Sequence, residues 1–292
     1  MIAFTSLETF RKNFSKKLPD TFHWQETPLQ IYPLSFITEH LQYPTPLAKS
    51  DFYYIIHIKE GMYTQQIDTE VFEIKAPAVI CILRGTIHSL KSIGKGVKGH
   101  FTLIENKTMS ALFNQEDTLN LFTIKPFLTL SKKDSNWIHI INKLLYEELN
   151  QSKPSRKIAH GLIQAILYKT LQLSDGAEQR SKSHQIAISF KQMVYQHFVE
   201  ERNVAFYANE LAISENYLNR CVKSFFHKTT KEIIMEITII NSQLLLLDIS
   251  KDISEICYEL NFEDPSYFAR VFKKIIGVSP TEYRESVMHD LS

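Results

Sequence analysis

The chain has 292 residues, of which 44% are hydrophobic, enough for about two domains that each bury a core. Its three cysteines, Cys81, Cys221 and Cys257, lie far apart and share no CxxC or Cys/His spacing, so neither a disulfide framework nor a zinc site of that kind is expected. The formal net charge of +1 does not announce a nucleic-acid binder, and residues 184–292 carry 11 Lys/Arg against 15 Asp/Glu. A reading that involves DNA must therefore rest on where the charges sit.

Before residue 130 the chain alternates short apolar runs with turn signals: DFYYIIHIKEG, VFEIKAPAVICILRG and GHFTLIEN, broken by Gly61, Pro77, Gly85 and Gly99. β-Branched and aromatic residues dominate, and a β-sandwich or small barrel is expected. The N-terminus MIAFTSLETFRKNF has no apolar run before a small-residue cleavage site, and no stretch of about 18 residues is apolar throughout. Export and membrane spanning are not expected, and a reduced, cytoplasmic setting fits.

From Asn136 the apolar period becomes helical. Trp137, Ile140, Ile141, Leu144, Leu145 and Leu149 fall on one face, and Ile158, Leu162, Ile166 and Leu173 on a second, giving a helical hairpin broken near Pro154. Burial against the sheet and use as a dimer surface are both open for this hairpin. SDGAEQRSKS, from Ser174 to Ser183, has no apolar residue larger than alanine and reads as a linker. The expected division is a β-rich domain ending in the helical hairpin at 1–175, a linker at 176–183 and a helical domain at 184–292.

The helical part repeats itself after about 50 residues. YLNRCVKSFFHKTTKEI matches YFARVFKKIIGVSPTEY, pairing Tyr217 with Tyr267, Arg220 with Arg270, Lys223 with Lys273 and Glu232 with Glu282. In the second copy Asp252 with Glu255 forms a capping box, and Ile253, Ile256, Cys257 and Leu260 make an apolar stripe on a helix ending near Asn261. Asp264 followed by Pro265 starts the next helix and Gly277 closes it, so it runs from Pro265 to Ile276.

So few residues join these helices that they form a helix-turn-helix. In the first copy Phe206–Ala212 is the supporting helix and Ser214 caps the next, with Tyr217, Leu218, Cys221, Val222 and Phe225 buried. Tyr217, Tyr267, Phe268 and Phe272 are expected in the core. Thr230–Leu247 is a connecting helix started by Thr229 and Glu232; its 18 residues span about 27 Å, against about 34 Å between successive major-groove faces.

The outward positions are Asn216, Asn219, Arg220 and Lys223, then Ser266, Ala269, Arg270, Lys273 and Lys274, with no acidic residue between Pro265 and Gly277. Asn pairs bidentately with adenine and Arg with guanine in the major groove. Pro265 and Ala269 offer only apolar contact, as to a thymine methyl.

The segment ISEICYELNFEDPSYFARVFKKIIGVSPTEYR is similar to the C-terminal signature of the AraC/XylS family of transcription regulators, over about Gln185 to Arg284. The resemblance implies that Asn216, Asn219 and Arg220, then Pro265, Ser266, Ala269 and Arg270, enter the major groove. Departures are Glu236 and Thr238 in the connecting helix, where the family is basic, and His227 and Thr230 in place of Gly and Pro.

The resemblance also implies a cupin-like sensor domain at the N-terminus. The expected fold is thus a multidomain α+β chain: a cupin-like β-barrel or sandwich with a helical hairpin, then an all-α domain of two helix-turn-helix units joined by a long helix. Cupin enzymes bind metal through histidines, and His57, His88 and His100 are candidates. The close HxH pair and following Glu are absent, so no metal site is expected. His57, Arg84 and His88 are candidate effector-binding residues at a pocket rim.

The expected function is sequence-specific transcription regulation without enzymatic activity or cofactor. Expected partners are double-stranded promoter or operator DNA, a small-molecule effector, a second copy of the chain, and RNA polymerase at the promoter. A metal-dependent cupin enzyme with a helical appendage, and a DNA-binding dimer with no effector, are the alternatives.

Overall fold

A computed structural model describes residues 27–45, 47–49, 52–113, 127–174 and 182–291. They fall into two compact units, divided along the chain between Ser174 and Lys182, the first α+β and the second all-helical.

The first unit contains two antiparallel sheets. β1 (Leu29–Pro33), β8 (Lys98–Glu105), β3 (Phe52–Glu60), β6 (Ala78–Ile82) and β9 (Phe127–Thr129) form one, in the order β1-β8-β3-β6-β9. β2 (Ala48–Lys49), β7 (Ile87–Ile93), β4 (Met62–Ile67) and β5 (Glu70–Lys75) form the other, in the order β2-β7-β4-β5. Short helices α1 (Leu34–His40) and α2 (Asn106–Leu112) follow β1 and β8.

Strand periodicity assigns each side of the larger sheet to its own core. On β3, Tyr54, Ile56 and Ile58 join Tyr63, Ile74 and Leu90 between the sheets. Tyr53 and Ile55 point the other way, into a core with the hairpin helices α3 (Lys132–Leu149) and α4 (Arg156–Leu173), where Ile138, Leu145, Ile163 and Leu167 are buried. Both faces of β3 are covered, which is why FYYIIHIKE reads as a nearly continuous apolar run.

Gly99 brings β8 close to β3. Its φ is +150°, and a Cβ there would collide with the carbonyl oxygen of His57. Only glycine lets the two backbones approach this closely, and the next residue, His100, is thereby set beside β3.

The hairpin departs from the expected single apolar face. Ile138 and Leu145 are buried, but Trp137, Ile140 and Leu144 are exposed, at 38%, 57% and 45%, and so is Ile158. The apolar stripe was too wide for one contact. The sheet takes only the part of α3 that also carries Ser135 and Asn142, both buried. The expected linker at 176–183 lies outside the described residues as far as Ser181, while Lys182 and Ser183 already belong to a helix.

The second unit contains α5 (Lys182–His197), α6 (Val204–Glu210), α7 (Glu215–Phe226), α8 (Thr230–Leu245), α9 (Ile253–Glu259), α10 (Pro265–Ile276) and α11 (Pro280–Leu291). Its core joins Phe190 and Val194 of α5, Tyr207 of α6, Leu218 of α7, Ile233 and Ile237 of α8, Cys257 of α9, and Phe268 and Phe272 of α10. Truncating such a buried phenylalanine costs roughly 3–5 kcal/mol.

Helices α7 and α10 both end on a left-handed residue: His227 at φ 56° and Gly277 at φ 95°. Glycine adopts this conformation without strain, whereas a side chain there costs roughly 1 kcal/mol or more. The imidazole of His227 is exposed, so His227→Gly is expected to raise the melting temperature by about 3 °C. An unchanged or lower melting temperature would show that the imidazole makes a compensating contact.

Candidate nucleic-acid interface

The helix-turn-helix units share their turn chemistry down to individual hydrogen bonds. In the first, the amides of Leu211, Ala212 and Ile213 donate to the carbonyls of Tyr207, Asn209 and Ala208; in the second, Leu260, Asn261 and Phe262 donate to Ile256, Tyr258 and Cys257. Each donor and acceptor recurs 49 residues later. Ala212 (φ 52°) and Asn261 (φ 61°) make the left-handed step that ends each supporting helix. The supporting helix of the first unit is Val204–Glu210, slightly earlier than its apolar pattern suggested, because Asn203 caps it through Ala205 N–H.

α7 starts at Ser214, whose hydroxyl accepts from Tyr217 N–H, and α10 at Asp264, whose carboxylate accepts from Ser266 and Tyr267 N–H. Capping these amides with side chains satisfies donors that a helix cannot satisfy itself. On α10, Phe268 and Phe272 face the core, leaving Ser266, Arg270, Lys273 and Lys274 exposed and Pro265 and Ala269 half-buried. On α7, Asn216, Arg220 and Lys223 are exposed. The Arg220 guanidinium lies 4.9 Å from the centre of the Tyr217 ring, which limits where it can reach.

Two expected residues sit differently. Asn219 is half-buried, and its Oδ1 accepts from the Thr230 backbone N–H (3.2 Å) and hydroxyl (3.4 Å). That carbonyl is turned to the start of α8 rather than outward to an adenine. The matching residue Ala269 is also half-buried, so in both units the position before the arginine faces the domain. Tyr267, expected in the core, is 45% exposed, because it lies one residue from the Phe268–Phe272 row and three before Arg270. It adds an aromatic ring to the outer face of α10.

The connecting helix offers little to phosphates at the positions where the sequence departs from its family. Thr238 is fully buried and its hydroxyl donates to the Ile234 carbonyl (2.8 Å). Glu236 pairs with Lys228 Nζ at 2.7 Å.

In the first unit the three effector candidates are not brought together. His57 faces the hairpin, where its Nε2 is 2.9 Å from Ser135 Oγ. His88 lies between the sheets, 4.9 Å from the Tyr54 ring and 3.5 Å from Gln65 Nε2. The larger sheet separates them, so they cannot line one pocket. Arg84 sits in the turn after β6; burial first, and the Arg84 charge second, push Lys49 down to about 8.

His57 instead meets His100 and His139, the latter on α3. Burial, then His100, His139 and Lys59, push His57 down to about 3; burial, then His139, Lys143 and Lys59, push His100 down to about 4. His139 is lowered too, chiefly by burial. The sequence reading missed His139 because it sits on a helix remote from both strands. The available signal was polar: Ser135, His139 and Asn142 recur at helical spacing beside Ile138 and Leu145.

Residues 207–286 match the family model described as a helix-turn-helix domain. The chain is 23% identical to the HTH-type transcriptional activator RhaR of Mannheimia succiniciproducens, over 86% of this chain and 91% of that protein. It is 25% identical to the HTH-type transcriptional regulator YisR of Bacillus subtilis, over 49% of this chain and only 48% of that protein. A solved structure of ToxT from Vibrio cholerae aligns over 88% of this chain and 97% of its own, at 17% identity and a TM-score of 0.47.

Burial holds His88 at about 4, below its ordinary 6.5, against a weaker opposite pull from Asp68. A histidine held neutral in the fold but free to protonate when unfolded supports the fold above pH 6.5; that support is lost as pH falls toward 4. The limit for His88 is about 3 kcal/mol. Thermal melts between pH 7.5 and 4.5 should show a shallower loss of stability in His88→Gln than in the unaltered chain. Parallel pH profiles would place the acid sensitivity elsewhere.

Proposed function

We propose that this chain, whose residues 207–286 form an AraC-type helix-turn-helix domain, is a cytoplasmic transcription regulator that reads two neighbouring major grooves with α7 and α10. The observation that carries this reading is the outer face of α10, which presents Ser266, Arg270, Lys273 and Lys274 with no acidic side chain on the helix. A helix fits the major groove, and residues near its N-terminal end meet the base edges. Ser266 and Arg270 lie early enough to read bases, while Lys273 and Lys274 in the last turn suit phosphates. In the first unit, Asn216, Arg220 and Lys223 take the corresponding roles, with Asn219 assigned to the domain's own structure.

The chain acts as a homodimer through α3. Trp137, Ile140 and Leu144 follow one another at spacings of three and four residues, and all three are exposed. Such an apolar row on a helix suits a second copy of itself. A ligand-binding role for the first unit is supported by His88, whose Nε2 is buried between the sheets without a hydrogen-bond partner. A small molecule entering there would satisfy it. The chain has no enzymatic role in this reading, and RNA polymerase is a further partner at the promoter.

Gel shifts with promoter fragments from the neighbouring genes should show preference over random DNA. Arg270→Ala is expected to cost about 1–3 kcal/mol and to relax preference at one base pair. An equal loss on all sequences would make Arg270 a phosphate contact, and no preference by the unaltered protein would reject the reading. Leu144→Glu should yield a monomer in sedimentation and weaken operator binding; a dimer that persists would move the interface off α3.

A further inference from the structure

The register of β3 and β8 sets His57 directly opposite His100. Residues so opposed share a sheet face, with Cβ atoms roughly 4.5–5.5 Å apart. Their face is the one covered by the hairpin, since Tyr53 and Ile55 of β3 and Ile104 of β8 pack there. α3 lays His139 over the pair, its ring centre 5.5 Å from that of His100 and 6.3 Å from that of His57.

One nitrogen of each ring lies within 4.8 Å of the other two. His57 and His100 are only 1% and 7% exposed. In all three rings Nδ1 is buried without a hydrogen-bond partner. Leaving three such atoms unsatisfied in one place is costly, and a group that answers all three at once removes the cost.

We infer that His57, His100 and His139 form a binding site for a single first-row transition-metal ion of the Zn²⁺ class, with one coordination position left for a non-protein ligand. Three imidazoles without a carboxylate or thiolate match Zn²⁺, Ni²⁺ or Cu²⁺, and do not match the oxygen-rich shells that Ca²⁺ and Mg²⁺ need. Zinc–nitrogen bonds of about 2.0–2.1 Å at tetrahedral angles place ligand atoms about 3.4 Å apart, so small ring movements close the site.

The contact between His57 Nε2 and Ser135 Oγ, 2.9 Å, supports the first ring from behind. With the ring proton on Nε2 and donated to the hydroxyl, the lone pair remains on Nδ1. His139 is only half-buried, so the ion has a route in from solvent. Lys59, Lys143 and Glu60 are the charged groups acting on His139. The two ammonium groups oppose a bare cation and favour an anion, such as hydroxide or a carboxylate, as the remaining ligand. None of this depends on the DNA-binding reading.

The test uses the full chain after chelator treatment. Zn²⁺ titrated against a chromophoric chelator should occupy one saturable equivalent, and Co²⁺ in its place should give the visible spectrum of a tetrahedral site. Zinc at a hundredfold excess over its Kd should raise the melting temperature by roughly 5–10 °C. His139→Ala leaves the sheet intact and should melt like the unaltered apoprotein. Its zinc affinity should fall by more than the roughly 10–100-fold that losing a supporting residue costs. His160→Ala, on α4 and outside the cluster, should bind as before. No saturable equivalent in the unaltered chain, or affinity unchanged by His139→Ala, would overturn the site.

Discussion

The second unit depends on the burial of α8. Ile233, Ile234, Ile237, Ile239 and Ile240 leave little of its circumference to solvent, and Thr238, Asn241, Ser242 and Gln243 are buried with them. A helix apolar on nearly every side is a core element rather than a surface one. Three of these side chains bond within the helix: Thr238, Asn241 and Ser242 donate to the carbonyls of Ile234, Ile237 and Ile239. Both ends are tied down. Asn219 of α7 accepts from the first amide, and Arg284 of α11 donates to the Leu246 carbonyl at 3.2 Å. The two helix-turn-helix units are therefore held at one spacing. If both units engage one duplex as proposed, any mismatch between that spacing and the groove repeat falls on the DNA, whose bending cost depends on its sequence.

The acidic excess of residues 184–292 is explained by the same economy of helix ends. Asp252 and Glu255 form the capping box of α9, Thr229 and Glu232 that of α8, and Asp264 caps α10. Glu282 accepts from Ser279 N–H at 2.7 Å at the start of α11. Hydrogen bonds from Thr229 and Ser279 hold Glu232 and Glu282 below the usual carboxylate range. Each negative charge sits where the helix dipole is positive. Net charge thus reports how the helices are started, while the outer surface of α10 remains cationic. Arg202 serves the opposite end: its guanidinium donates to the Leu260 carbonyl after α9 and stacks 3.9 Å from the centre of the Phe262 ring.

How much was legible in the sequence follows from the range of each signal. The bounds of α10, Pro265 to Ile276, came through intact because Asp264, Pro265 and Gly277 act within one turn of the chain. Strand β3 was legible as an apolar run, whereas β4, with the pattern Met-Tyr-Thr-Gln-Gln-Ile, is half-buried and carries too little contrast to stand out. Facing was harder than existence. Tyr267 and Trp137 belong to apolar stripes wider than the surface available to cover them, and which edge stays outside is decided by tertiary packing. Asn219 has the chemistry of a base reader, but a helix that begins eleven residues later claims its carbonyl. His57 and His88 look equivalent in the sequence, yet sheet parity and strand order put them on opposite sides of β3.

α3 presents two different faces. Its inner face carries Ser135 and His139 over β3 and β8; its outer face carries Trp137, Ile140 and Leu144. A helix transmits displacement along and across its axis with little internal give, because its hydrogen bonds are all internal. Drawing His139 toward His57 and His100 would therefore move the outer row as a body. In a dimer built on that row, two copies would shift together, and a change at the histidines would alter how the subunits meet. Coupling of this kind requires that α3 has two discrete seats on the sheet, one of which the bound ion prefers. Ser135 and Asn142, buried on its inner face, are the polar contacts that any such shift would have to break or remake.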